Sequence, residues 1–423
     1  MISEPARAAP REAYVWVWLP GRSEPVVAGR LAPTLEGLQF NYGRSYLARA
    51  DALPLYLPDL PLQPGLLPLP VGLSIPGCLR DGAPDGWGRR VILNQVLGQA
   101  GRGSDTAVLD ELSYLLHSGS DRIGALDFQT SASSYSPREG GSASLDALQE
   151  SAAWIERGQP LPPALAQALR HGTSIGGARP KAALEGEGRK WIAKFSSSSD
   201  VMPVVKAEFV AMRLAALVGL DVAPVRLERV AGKDVLLVER FDRVATADGH
   251  WQRRMQVSAL TLLGLDEMMA AHASYEELAD IIRHRFTAPR ASLHELFARL
   301  VFNILCGNTD DHARNHAAFW DGKWLTLTPA YDICPQARTG QEATQAMKIL
   351  GEQRFSRLRL CLDAAARFQL SPADARGIIE AQLQAIRTHW LDVCNAAGLG
   401  EAERNALWGR PALPHCTHPA SAS

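Results

Sequence analysis

Apolar and polar positions alternate with a period of two over residues 14–19, 26–31 and 38–42, and the spacing predicts three short strands separated by turn residues. Residues 53–79 are the most apolar stretch, but Pro54, Pro58, Pro61, Pro64, Pro68, Pro70 and Pro76 interrupt it. Proline lacks a backbone donor and ends helices, so extended chain and turns are expected there. Residues 81–90, Asp-Gly-Ala-Pro-Asp-Gly-Trp-Gly-Arg-Arg, read as a loop opening a helix that runs through Gln99, with Asp85 at its positive end as a cap. Residues 110–117 read as helix and 121–128 as strand. The first 130 residues are therefore expected to form a mixed α/β domain.

Residues 131–145, rich in Ser and Gly with Pro137, have the composition of a linker. Helical spacing follows over 145–171, interrupted near 160–163. A glycine-containing loop at 173–181 leads into strands at 181–184 and 190–195. Residues 204–218 place Val210, Leu214, Leu217 and Val218 on one helical face and stop at Gly219. Strands at 225–230 and 235–238 close a hairpin. From Val257 onward helical spacing dominates. Ser292 and Glu295 have the spacing of a capping box, opening a helix with Leu293, Leu296, Leu300 and Ile304 inward and ending near Gly307. Asp321-Gly322 joins two short strands, 317–320 and 324–327. Helix fills 372–397, and the Pro- and Ser-rich tail, 411–423, is expected to fray.

With 423 residues, the chain has room for two or three compact units. A composition of 46% apolar and 21% charged residues is that of a globular protein, and a net charge of −1 argues against a strongly cationic nucleic-acid binder. Six scattered cysteines contain no Cys-x-x-Cys pair, which predicts reduced thiols in a cytoplasmic protein without a zinc knuckle. Residues 1–10 lack the apolar core of a secretory leader, and no apolar run is long enough to span a bilayer, so no membrane association is expected.

The chemistry concentrates in residues 308–315, Asn-Thr-Asp-Asp-His-Ala-Arg-Asn, which follow the predicted central helix. Asp310 and Asn315 stand five positions apart, and Asp332 lies beyond the next hairpin. That order is the layout of a phosphotransfer loop: a carboxylate that takes a hydroxyl proton, then an amide and a carboxylate that hold magnesium. His312 joins the cluster as a supporting residue, and a metal-hydrolase site or a merely solvated loop are the competing readings. Asp311 is expected to position Arg314 or a backbone amide. His316 stands where an apolar residue is expected. Lys194, inside an otherwise apolar strand, suits nucleotide phosphates when steered by Glu208 on the next helix, although a lone strand lysine more often faces water. Gly176 and Gly177 allow backbone amides to approach phosphates, with Arg179 and Lys181 adding charge, although a Gly-Gly pair is more often only a turn. No Walker loop occurs in the sequence.

The segments Ser-Ile-Gly-Gly-Ala-Arg-Pro-Lys (174–181), Val-Glu-Arg-Phe-Asp-Arg (238–243), residues 308–315 and Ala-Tyr-Asp-Ile (330–333) together resemble the HipA family of serine/threonine kinases, the toxin halves of bacterial toxin–antitoxin pairs. Phe40-Asn41-Tyr42 and the 81–90 and 121–128 segments resemble that family's N-terminal domain, and the likeness covers residues 14–391. The resemblance implies an α+β, bilobal protein-kinase-like fold preceded by a mixed α/β domain: N-terminal domain 1–130, linker 131–145, small lobe 146–240, helical lobe 241–412 and tail 413–423. It implies Asp310 as base, Asn315 and Asp332 as Mg²⁺ ligands, Lys194 as the phosphate lysine, and Glu239–Phe241 as the hinge whose backbone holds adenine. Ser174 falls at the autophosphorylated position and Lys181 at the end of the phosphate loop. ATP and Mg²⁺ are the implied cofactors. The implied partners are a protein substrate, such as an aminoacyl-tRNA synthetase or another translation factor, and a HipB-like DNA-binding antitoxin through which alone DNA would be met. Arg179-Pro180 stiffens the loop relative to an ordinary protein kinase. A small-molecule kinase, or a silent pseudokinase serving as a protein- or operator-binding subunit, are the alternatives.

Overall fold

The computed structural model describes residues 10–98, 104–138, 144–162, 165–166, 169, 172–197, 200, 202–336 and 342–408. The expected tail, the end of the first helix at Gln99, and parts of the expected linker and of the 145–171 helix lie outside the described residues. The chain forms two compact units: Met1–Gly188 with Asp242–Gln256, and Arg189–Phe241 with Val257–Ser423.

The first unit is built on a four-stranded antiparallel sheet in the order Leu38–Tyr42, Val26–Pro33, Ala13–Val17, Leu126–Gln129. Alternation put the first three strands within two residues of their observed bounds, whereas only the end of 121–128 is strand. A side chain at Gly29 would meet the Asn41 carbonyl oxygen at 2.1 Å and the Phe40 ring at 2.6 Å, so glycine is needed where the two strands pass. The wholly buried Arg122 donates to Asp127 (2.8 Å) and to the carbonyls of Gly82 (2.8 Å) and Leu115 (2.5 Å), which supplies the partners a buried cation requires. The first half of the expected linker is packed rather than free. Tyr135 lies 5.4 Å, ring to ring, from both Trp16 and Trp18, and the Trp16 indole donates to the Ser131 carbonyl at 3.0 Å. Residues 242–256, expected at the start of the helical lobe, group with this unit. The buried Arg243 donates to Asp121 (2.8 Å), Asp242 (2.8 Å) and the Gly124 carbonyl (2.9 Å).

In the second unit the strand Arg189–Phe195 pairs antiparallel with Lys233–Glu239, which pairs with Val225–Val230. The helix Val204–Leu217 follows the lysine strand and ends before Gly219, whose φ of +90° is the left-handed turn expected of a helix stop. The buried helix Pro289–Cys306 ends at Gly307, again left-handed at φ +76°. It starts three residues before the expected Ser292 cap, because proline preset for the first helical position outcompetes an interior serine. Ser292 is buried inside the helix, and Glu295 turns instead to Arg299 (2.7 Å). A capping box does exist at Ser371 and Asp374, opening the 25-residue helix Pro372–Ala396. No helix among the described residues is long and apolar enough to cross a membrane.

Candidate active site

Lys194 sits on the strand face opposite Trp191, Ala193 and Phe195, which alternation buries. Its ammonium contacts the Glu208 carboxylate at 2.5 Å and the Asp332 carboxylate at 2.5 Å. Burial pulls the lysine pKa down, but Asp332 and then Glu208 outweigh it and hold the group above its ordinary value, so the ammonium stays charged. Glu208 is buried on its helix, whereas the Asp332 side chain is 41% exposed and open to a ligand. Asp332 adopts a left-handed φ of +58°, a conformation in which aspartate is over-represented among non-glycine residues. Its segment is fastened two residues earlier: the Ala330 amide donates to the Asp221 carbonyl (2.8 Å) and the Ala223 amide to the Ala330 carbonyl (2.9 Å). The buried Arg299 bridges the carbonyls of Asp221 (3.1 Å) and Thr328 (2.9 Å), tying that segment and its Asp221 partner to the central helix.

Immediately after Gly307 the chain turns back on itself. The Asn308 side chain donates to Asn303 (3.0 Å), the His312 amide to the Asp310 carbonyl (2.9 Å), and the Asn315 amide to the His312 carbonyl (2.8 Å). The Asn315 side-chain nitrogen donates to the Asp310 carbonyl at 3.1 Å, which leaves its amide oxygen as the atom suited to a cation. Asp310 is exposed, yet the hydration it loses on its protein side raises its carboxyl above the ordinary 3.8; Asp332 and Asp311 push the same way, against His312. Asp311 is expected from the sequence to position Arg314 or a backbone amide. The structure differs: Asp311 is buried, accepts the Tyr275 hydroxyl and meets His316 Nε2 at 3.1 Å. Arg314 pairs with Glu267 at 3.2 Å. His316 thereby acquires an explanation, as the buried partner of a carboxylate.

At the expected hinge, the Glu239 amide donates to the Pro224 carbonyl and the Arg240 amide to the Lys190 carbonyl, at 2.9 and 2.8 Å. The Glu239 side chain pairs with Arg189. Those two amides are therefore committed to the sheet. The Phe241 ring packs 5.9 Å from Phe319 and 5.6 Å from Tyr331.

The loop at 174–181 lies in the first unit and is folded down there. The Gly177 amide donates to Asp85 at 2.7 Å, the Trp87 indole to the Lys181 carbonyl at 3.0 Å, and Arg90 to the Ala178 carbonyl at 2.6 Å. Asp85 does stand at the N-terminus of the helix Gly86–Leu97, but its side chain makes no cap bond; it serves the loop instead. A side chain at Gly88 would fall 2.0 Å from the Thr173 carbonyl oxygen, so that glycine lets the helix meet the loop. The Lys181 ammonium bonds the Gly176 carbonyl, and Ser174 is 2% exposed with its hydroxyl enclosed and lacking a hydrogen-bond partner among the described residues.

Residues 173–390 match the family profile described as HipA-like C-terminal domain, and residues 17–129 match the HipA N-terminal domain. The chain belongs to the HipA family. Among solved structures, HipA of Shewanella oneidensis MR-1, in its complex with HipB and operator DNA, superposes with a TM-score of 0.70 at 20% identity, covering 96% of each chain. The α+β, kinase-like fold expected from the sequence is thus the observed one. The serine/threonine-protein kinase toxin HipA of Shewanella oneidensis is 28% identical over 141 residues, 30% of this chain and 33% of that protein. Y4mE of Sinorhizobium fredii, provisionally named a kinase, is 32% identical over 126 residues, 29% of this chain and 30% of that one. The chain thus matches about a third of the length of these curated relatives. In this HipA-family chain the residue that sequence reasoning missed is Tyr275. It is 36 positions from Asp311 and opens a helix of its own, and no spacing rule links the two.

Proposed function

We propose that this HipA-family chain is an ATP-dependent kinase that phosphorylates serine or threonine on a protein, as the toxin of a type II toxin–antitoxin pair. The observation that carries the reading is the Lys194–Glu208–Asp332 cluster: a strand lysine steered by a helix glutamate onto a partly exposed aspartate. Lys194 binds nucleotide phosphates, and Glu208 fixes its direction. Asp310 takes the proton from the acceptor hydroxyl as that oxygen bonds to the γ-phosphorus and the bond to the ADP oxygen breaks. Gly176, Gly177 and Lys181 are the proposed phosphate-loop residues. Glu239 and Phe241 border the base.

A divalent cation fits the donor set. The Asn315 amide oxygen and the Asp332 carboxylate are hard oxygen donors, and two protein ligands plus phosphates and water are what Mg²⁺ prefers. When bound, Mg²⁺ neutralises charge on the transferring phosphates. Ser174 is the proposed autophosphorylation site. A phosphoserine there carries a charge of about −2, and its enclosed position requires the loop to open first. The Shewanella HipA–HipB–operator complex supports a HipB-like antitoxin as partner, with DNA reached through it.

Incubation of the purified protein with Mg²⁺-ATP and a bacterial lysate, followed by mass spectrometry, tests the reading. New phosphosites on a translation component with the wild type, absent with Asp310→Asn, are expected. Equal phosphorylation by both proteins would remove Asp310 as base, and none by either would remove the kinase reading.

A further inference from the structure

The segment that carries Asp310 and Asn315 has little regular structure of its own: one short turn, Ala313–Asn315, between a helix end and a strand. Side-chain contacts must therefore fix its shape. The two side chains adjoining the proposed functional pair do so. Asp311 follows Asp310 and His316 follows Asn315; both are 3% exposed, whereas Asp310 faces solvent. They meet each other beneath the segment, with His316 Nε2 at 3.1 and 3.2 Å from the two Asp311 oxygens. Tyr275, wholly buried, donates its hydroxyl to Asp311 and sets its ring edge-on to the His316 imidazole at 5.5 Å and 77°.

Two of the three members are anchored independently. Tyr275 opens the helix Tyr275–Arg285, capped by Ser274, and its amide donates to the Lys348 carbonyl at 2.9 Å. The His316 carbonyl accepts the Ala259 amide at 2.8 Å, at the start of the helix Ala259–Leu262. A buried carboxylate is costly unless its oxygens are satisfied by hydrogen bonds and an opposing dipole or charge. Tyr275 and His316 meet that need in the arrangement seen here. The same contacts that satisfy Asp311 therefore fix the separation of the residues on either side.

We infer that Tyr275, Asp311 and His316 form a positioning unit that holds Asp310 and Asn315 at their working separation; the inference rests on the kinase reading above. None of the three touches substrate. They act through the backbone of residues 310–316, as a crossbar between the two ends of the segment.

The test has two readouts. The first is amide hydrogen exchange of the nucleotide-free protein, which does not depend on activity. His316→Phe and Tyr275→Phe are expected to speed exchange across residues 308–316 at least tenfold while leaving Pro289–Cys306 unchanged. The second is Mg²⁺-ATP turnover, read as ADP release. Both variants are expected to lose tenfold or more in kcat with KM for ATP within twofold of wild type. His316→Gln, which keeps a donor towards Asp311, is expected to recover most of the loss. Tyr275→Phe preserves the ring packing and serves if His316→Phe does not fold. Unchanged exchange across 308–316, or a loss of rate carried by KM and not restored by His316→Gln, would overturn the proposal. If the wild type neither binds nor turns over ATP, the kinase reading fails, and the exchange experiment alone decides whether the segment is held this way.

Discussion

At the scale of single residues, three charged side chains define the proposed site. Lys194 lies 2.5 Å from two carboxylates, and one of them, Asp332, is partly exposed, so the cluster has a closed side at Glu208 and an open one at Asp332. Asp310 responds to the same field. It loses hydration and feels the negative charges of Asp332 and Asp311, so its carboxyl titrates above the ordinary 3.8. The direction has a kinetic consequence. A base works only when ionised, and a raised pKa leaves it protonated at pH values where an ordinary aspartate would already be ionised. The acid limb of kcat/KM should therefore fall above the ordinary aspartate range and disappear with Asp310→Asn. A profile flat down to the ordinary aspartate value would be inconsistent with Asp310 as base.

At the scale of elements, what was legible in the sequence was period and punctuation. Alternation located the lysine strand, 3.6-residue spacing located the glutamate helix, and Gly219 and Gly307 ended helices where left-handed residues are needed. What was illegible depended on competition between local signals or on distant partners. Ser292 and Glu295 have capping-box spacing, but Pro289 starts the helix earlier and buries the serine. Asp85 has the position of a cap, but a loop amide 92 residues away takes its carboxylate. The distinction is measurable. Ser371→Ala removes a real cap and should cost about 1 kcal/mol in chemical denaturation. Ser292→Ala should cost clearly less, and equal losses would restore Ser292 as a cap.

At the scale of the whole molecule, chain order and spatial grouping part company. Residues 242–256 leave the second unit and return to the first, held by Arg243 on Asp121, 122 positions earlier. A linear reading sees only a continuous passage from hinge to helical lobe, because the charges that draw the segment back lie in a part of the sequence already passed. The order of the proposed functional residues survives this, since Lys194, Glu208, Asp310, Asn315 and Asp332 all belong to the second unit. This unit's cluster is proposed to hold a nucleotide with its metal. Isothermal titration of a non-hydrolysable ATP analogue, with and without Mg²⁺, tests it most directly. Saturable one-to-one binding that requires Mg²⁺ in the wild type and is lost in Asp332→Asn and Lys194→Met is the predicted result. Binding unaffected by either substitution, or none by a folded wild type, would contradict it.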